Sequence, residues 1–221
     1  MKFQKSLVSL PLLCLIHLVG SPSAAGTDLS GVPSLEDSTA EIAYNGPGIP
    51  LVMVVPDGSG TPLNQAFDEN GNVVDATITM YLRDYAGDPI ANFPYEDIWL
   101  DTGPGGMNPC IGGANPDDNT DLNGMTSWTA PLEAGGYSDG PVMVMVNGSA
   151  LTSNSGLALR IKSPDLDGSL YVILGDLTIM AEDYFSGAYH FRCDFNNDGA
   201  LNLTDVQIMA DHYGVLSLIH I

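Results

Sequence analysis

Basic residues are what this chain has least of. Its 221 residues hold six Lys and Arg against 27 Asp and Glu, a formal net charge of −21 at pH 7. No basic surface is available to neutralise phosphates, which excludes nucleic acid and anionic membrane surfaces as partners. Histidine is nearly as scarce: beyond the first 25 residues there are His190, His212 and His220, all near the C-terminus. A Ser, His and Asp site needs an imidazole beside an activated hydroxyl, so surface or packing roles are expected for these three. No glycine loop that could cradle phosphate follows a strand. Glu96, Asp97 and Glu133 are no more than so acidic a composition supplies by chance as paired carboxylates. A non-catalytic protein is expected. Cysteine is rare too: past Cys14 there are Cys110 and Cys193, and their separation leaves open a bridge or two free thiols.

Long apolar runs are also missing after the N-terminus. The opening MKFQKSLVSLPLLCLIHLVGSPSAAG places Lys2 and Lys5 before a short apolar stretch, then small residues suited to cleavage near Ala24 or Ala25. Pro11, His17 and Pro22 cut the run short of the roughly 20 residues a membrane span needs. Residues 1–25 are therefore read as a secretory signal peptide, and the protein is expected to be secreted, extracellular or at the cell surface, with no membrane span. Four basic residues then face 27 acids, a surplus that repels itself and favours cation uptake.

Residues 26–39, GTDLSGVPSLEDST, are polar and without period, and read as a flexible leader. From 40 to 162 short β runs alternate with Gly, Pro, Asn and Asp. In VVDATITMYLRD, Val74, Ala76, Ile78, Met80 and Leu82 face one way, while Asp75, Thr77, Thr79, Tyr81 and Arg83 face the other. IPLVMVV and PVMVMV suit central strands; LALRIK sets Leu157, Leu159 and Ile161 against Ala158, Arg160 and Lys162. Such spacing without a long helical period predicts an all-β sandwich. Trp99, Trp128 and Tyr137 are either core aromatics or a sugar-stacking platform. Two polar turns, RDYAGDPIANF with Asp84 ahead of Gly87, and TDLNGMTSWT with Asp121 ahead of Gly124, join strands. They resemble the corresponding turns of bacterial immunoglobulin-like domains of the invasin type, which implies an immunoglobulin-like sandwich.

After Lys162 the texture changes. DLDGSLYVILGDLTIMAEDY (Asp165 to Tyr184) and DFNNDGALNLTDVQIMADHY (Asp194 to Tyr213) are copies offset by 29 residues. In each, an acidic loop leads into an amphipathic helix of about three turns, with Leu177, Met180, Ala181 and Tyr184 on one stripe and Val206, Met209, Ala210 and Tyr213 on the other. Calcium, a hard cation, takes about six to eight oxygens, which a twelve-residue loop supplies from positions 1, 3, 5, 7, 9 and 12, with Gly at 6. The second copy fits: Asp194, Asn196, Asp198, the Ala200 carbonyl, Asn202 and Asp205, with Gly199 at the turn. Leu201, at position 8, is expected to turn its side chain inward and pair its backbone with the other loop. Asp205 replaces the usual Glu at 12, and it also opens a helix, where a carboxylate favours the free amides. The first copy is poorer. Asp165, Asp167 and Asp176 hold 1, 3 and 12, Ser169 holds 5 and Tyr171 offers its carbonyl at 7, but Leu170 replaces Gly and Ile173 supplies no side-chain oxygen at 9. This loop is left between a weak Ca2+ site and a purely packing role.

Over 163–214 this tandem of loop and helix, EF-hand-like with Asp at position 12, resembles a type I dockerin module. The resemblance implies a small all-α module that folds around Ca2+ and docks to a cohesin-like or other extracellular protein domain. Positions 10 and 11 read Leu174 and Gly175, then Leu203 and Thr204, where cellulosomal dockerins often carry Ser or Thr, and the helices carry Glu182 and Asp211. A different partner from a cellulosomal cohesin is expected. The alternative makes the β domain a carbohydrate-binding or accessory part of a polysaccharide-degrading system. The last six residues, LSLIHI, match one reading frame of a transposon end used in sequencing libraries, so 215–221 are expected to be a non-native tail.

Overall fold

A computed structural model describes residues 29–217; residues 1–25, expected to be a signal peptide, His220 and the end of the LSLIHI tail lie outside them. Twelve short strands come first. They are β1 (Thr39–Ile42), β2 (Leu51–Met53), β3 (Ala66–Phe67), β4 (Val73–Val74), β5 (Ile78–Tyr81) and β6 (Ile98–Asp101). Then follow β7 (Asn108–Pro109), β8 (Met125–Trp128), β9 (Ala134–Gly135), β10 (Met143–Val146), β11 (Ser149–Ala150) and β12 (Arg160–Lys162). Two α-helices follow among the described residues, α1 (Leu174–Ser186) and α2 (Leu203–Asp211). The strands form small sheets ordered β1-β5-β8, β11-β10-β6, β12-β2-β3-β4 and β7-β9. Pairing is antiparallel except between β12 and β2, where Ile161 lies beside Val52 in parallel. The molecule is thus a β-rich body with a small helical part. No helix among the described residues is long and apolar enough to cross a membrane.

The alternation in VVDATITMYLRD holds: Ala76, Ile78, Met80 and Leu82 are buried. It does not make one strand, however. Val73 and Val74 pair with β3, whereas Ile78 to Tyr81 pair with β1 and β8. The cause is Asp75, whose carboxylate accepts the Thr77 amide at 2.9 Å and bends the backbone between the two sheets. One core runs through the body, from Val52 and Ile78 to Leu100, Val144 and Ile161. Trp128 belongs to it, 1% exposed, with Nε1 donating to the Ala114 carbonyl at 3.0 Å. That removes Trp128 from any sugar-stacking surface. Trp99 packs half-buried against the same core.

Both polar turns are built as expected. Asp84 accepts the Ala86 and Asp88 amides at 2.9 Å, and Asp121 accepts Asn123 and Met125 at 2.8 and 2.9 Å. The polar leader differs from expectation. Asp84 also takes the Gly31 amide, Ser34 donates its amide to the Arg83 carbonyl, and Ser34 and Ser38 are buried. From about Pro33 the segment is part of the body, because its small hydroxyls satisfy the edge next to β5. Cys110 and Cys193 are free thiols, both buried. Burial pushes both above the ordinary thiol range, so neither is a ready nucleophile.

Candidate metal centre

The two loops share one backbone. In the first, Asp165 accepts the Ser169 amide at 3.0 Å and the Leu170 amide at 2.7 Å; in the second, Asp194 accepts Asp198 at 3.2 Å and Gly199 at 3.1 Å. Position 3 repeats the pattern, Asp167 accepting Ser169 and Asn196 accepting Asp198. Position 12 closes each loop: Asp176 accepts Asp167 and Ile173, while Asp205 accepts Phe195 and Asn202. Each closing carboxylate therefore reaches back to the residue before its helix, satisfying amides that a helix start leaves free. Asn202 adds a cap by accepting the Thr204 amide at 2.7 Å.

Positions 4 and 6 have positive φ in both loops: Gly168 and Leu170 in the first, Asn197 and Gly199 in the second. Leu170 thus adopts at +67° a conformation in which its Cβ crowds the backbone, a strain of roughly 1 kcal/mol. Its own burial and the hydrogen bond from its amide to Asp165 offset this. The lost glycine at position 6 has not cost the first copy its loop.

In the second loop side-chain hydrogen bonds link Asn196, Asp198, Asn202 and the Ala200 carbonyl, but the carboxylates of Asp194, Asp198 and Asp205 are not gathered within 4.8 Å as those of the first loop are. Asp198 Oδ2 accepts from the amides of Asn196 and Asn202 at 3.0 and 3.2 Å, and the Ala200 carbonyl accepts from Asn202 at 3.3 Å. Asp194 and Asp205 are fully buried. In the first loop the Asp165, Asp167 and Asp176 carboxylates lie within 4.8 Å of one another, close enough to share one cation. Ser169 Oγ reaches the Tyr171 carbonyl at 3.2 Å. Ile173 supplies no oxygen from its exposed side chain. Burial raises the carboxyls of Asp176 and Asp205 above the ordinary range and pushes Asp165 up to about 7. Acids held this way among backbone amides fit a divalent cation, which would supply the missing positive charge.

That shift has a pH consequence. The metal-free fold holds a proton on Asp165 that the unfolded chain releases near pH 4, so the contribution of this group to stability is lost as pH rises from about 4 to about 7. A calcium ion at this loop would need the ionised carboxylates, so the stabilisation it would supply grows over the same window. With chelator present, the helical circular-dichroism signal should melt at lower temperature at pH 7.5 than at pH 5, and saturating Ca2+ should narrow the gap. Equal melting points at the two pH values with chelator would contradict it.

The helix stripes differ from expectation. Met180 and Met209 are fully buried, but Leu177 is 38% exposed, Ala210 is exposed and Tyr213 lies beyond the end of α2. The helices flank an open apolar groove of about 230 Å³ between Leu177, Tyr184, Phe185, Leu203 and Val206. Leu201 packs on the small core beside Phe195, as expected of position 8. The backbone pairing does not follow expectation: Val172, its counterpart, pairs with Gly214 and Val215, and Tyr171 with Leu216.

The largest departure is Lys162. Strand alternation puts it outside, yet it is fully buried, because the Phe191 ring and the second loop, at Asp194 and Asn197, cover it. Its Nζ donates to the Asp194 carbonyl and lies 3.7 Å from Asp194 Oδ2. Burial lowers it to about 8, with Asp194 pulling the other way. Arg192 makes a two-pronged bond to Asp183 at 2.6 and 2.8 Å, and this pair holds the Asp183 carboxyl below its ordinary range. His190 lies 3.5 Å from Asp183 and its Nε2 is 3.1 Å from Ser186 Oγ. The trio has a catalytic order of residue types, but Ser186 gives its proton to the Asp183 carbonyl at 2.7 Å, as a helix-end cap. His212 Nδ1 is likewise bound to a helix carbonyl, that of Ile208.

No family model, no curated protein and no solved structure matches this chain.

Proposed function

We propose that residues 163–214 are a dockerin-like calcium module, joined to an immunoglobulin-like sandwich over 40–162 in a secreted, non-catalytic protein that docks to another extracellular protein domain. The observation that carries this reading is the repetition, 29 residues apart, of the same loop: position 1, 3 and 12 carboxyl or amide oxygens on the same amides, and the same two positive φ angles. Asp194, Asn196, Asp198, Asn202, Asp205 and the Ala200 carbonyl would hold one Ca2+. Asp165, Asp167, Ser169, Asp176 and the Tyr171 carbonyl would hold a second, with fewer oxygens. The ion's contribution is structural: it offsets buried negative charge and fixes where each helix begins.

Docking is supported by the apolar side chains left uncovered at the helix pair, Phe185 at 84% and Leu203 at 73% exposure. A cohesin-like or other extracellular domain with an apolar contact face fits them. The test is capture from the source's secreted proteins on the immobilised full chain, with Ca2+ and with chelator. A discrete protein retained in Ca2+ alone, and lost with Phe185→Ser plus Leu203→Ser, is expected. Retention indifferent to calcium would contradict the reading.

A further inference from the structure

The β body holds both loops at the same two positions. At position 1 the Asp165 carbonyl accepts the Gly136 amide at 2.7 Å, and the Asp194 carbonyl accepts Lys162 Nζ. At position 4 the Gly168 carbonyl accepts Asn108 Nδ2 at 2.7 Å, while Asn197 Nδ2 donates to the Asp68 carbonyl at 2.7 Å. Gly135 allows β9 to approach this closely, since a Cβ there would collide with Asp165 Oδ2. The few basic residues are spent on the same junction. Arg160 binds Asp139 at 2.6 Å and Glu69 at 3.3 Å and faces the Phe191 ring, Lys162 lies 4.4 Å from the centre of that ring, and Arg192 faces Tyr137. Three of the four basic residues beyond the signal segment thus tie two acidic parts together.

Resting on the calcium reading above, we infer that the body and the helical module are one calcium-coupled folding unit, not a domain with a tethered tail. Ions that fix positions 1 and 12 of a loop also fix the groups that meet the body, the carbonyls of Asp165, Gly168 and Asp194 and the Asn197 side chain, so metal binding stabilises the β body as well as the helices. Lys162 acts here as a positioning residue: it holds Asp194 from outside the loop.

The chain carries its own two reporters. Both tryptophans, Trp99 and Trp128, lie in the body, and both described α-helices lie in the module. Thermal melts of the full chain are recorded by tryptophan fluorescence and by circular dichroism at 222 nm, with chelator and with Ca2+ at about 100 times the dissociation constant measured by calorimetry. Both midpoints should rise together by about 5–10 °C. A rise at 222 nm alone, or no rise despite calorimetric binding, overturns the coupling while leaving calcium binding intact; absence of calorimetric binding removes both readings. In Lys162→Met the fluorescence shift should fall below half of the 222 nm shift. If that variant does not fold, Asn108→Ala combined with Asn197→Ala, which removes the grip at position 4, should show the same split; a fluorescence shift undiminished there overturns the coupling.

Discussion

Asp194→Ala and Asp205→Ala should each lower calcium affinity of the second loop at least about 100-fold in a calorimetric titration, because each removes a buried carboxylate from the proposed calcium site. The two variants differ in what else they lose. Asp205 also accepts the Phe195 and Asn202 amides, so its removal frees a helix start and should lower stability by a further ~1 kcal/mol even with chelator present. Asp194 accepts Asp198 and Gly199 and receives the Tyr189 hydroxyl at 2.8 Å, so its loss loosens the loop's turn and leaves Lys162 without its nearest carboxylate. Asn replacements keep the shape and some of the hydrogen bonds; they should lose the ion while retaining most of the chelator-state stability. Titration curves for both Ala variants that overlay the parent would mean the second loop is an Asx-rich turn and nothing more.

Trp128→Ala should cost the body about 3–5 kcal/mol, enough to unfold a domain of marginal stability. The side chain is the largest fully buried one in the structure, and its removal leaves both a cavity opposite Ile78 and an Ala114 carbonyl with no indole donor. Urea denaturation followed by Trp99 fluorescence measures it; a loss under about 1 kcal/mol would place Trp128 outside the core. Loss of glycan binding in this variant would report unfolding, not a lost sugar contact. Tyr137, half-buried beside a polar cleft of about 360 Å³ lined by Gly103 to Asn108, is the aromatic to change for that purpose.

What the sequence made legible is what depends on near neighbours in the chain. The period of Ala76, Ile78, Met80 and Leu82 reports their burial correctly because alternation is a local property of a strand. The loop register at Asp194 to Asp205 is equally local: Asp194, Asn196, Asp198 and Asn202 precede α2, and Asp205 sits in its first turn. What was hidden depends on distant parts of the chain. Lys162 looks like an outward strand residue until Phe191, Asp194 and Asn197, some 30 residues on, are laid against it. Leu170 looks like a broken turn until its burial is known to offset its strain. The apolar stripe at Leu177 and Tyr184 reads as core, but how much of a stripe is covered depends on the angle between two helices. Asp75 splitting a strand in two was visible as a residue type, yet which sheet each half joins was not.

We propose that the duplicated loop is built for calcium. Calorimetric titration of the chelator-treated full chain tests it most directly. Saturable calcium uptake is expected, with a tight site that disappears in Asp205→Asn and a weaker one that disappears in Asp176→Asn. A flat titration, or one unchanged in both variants, would contradict it.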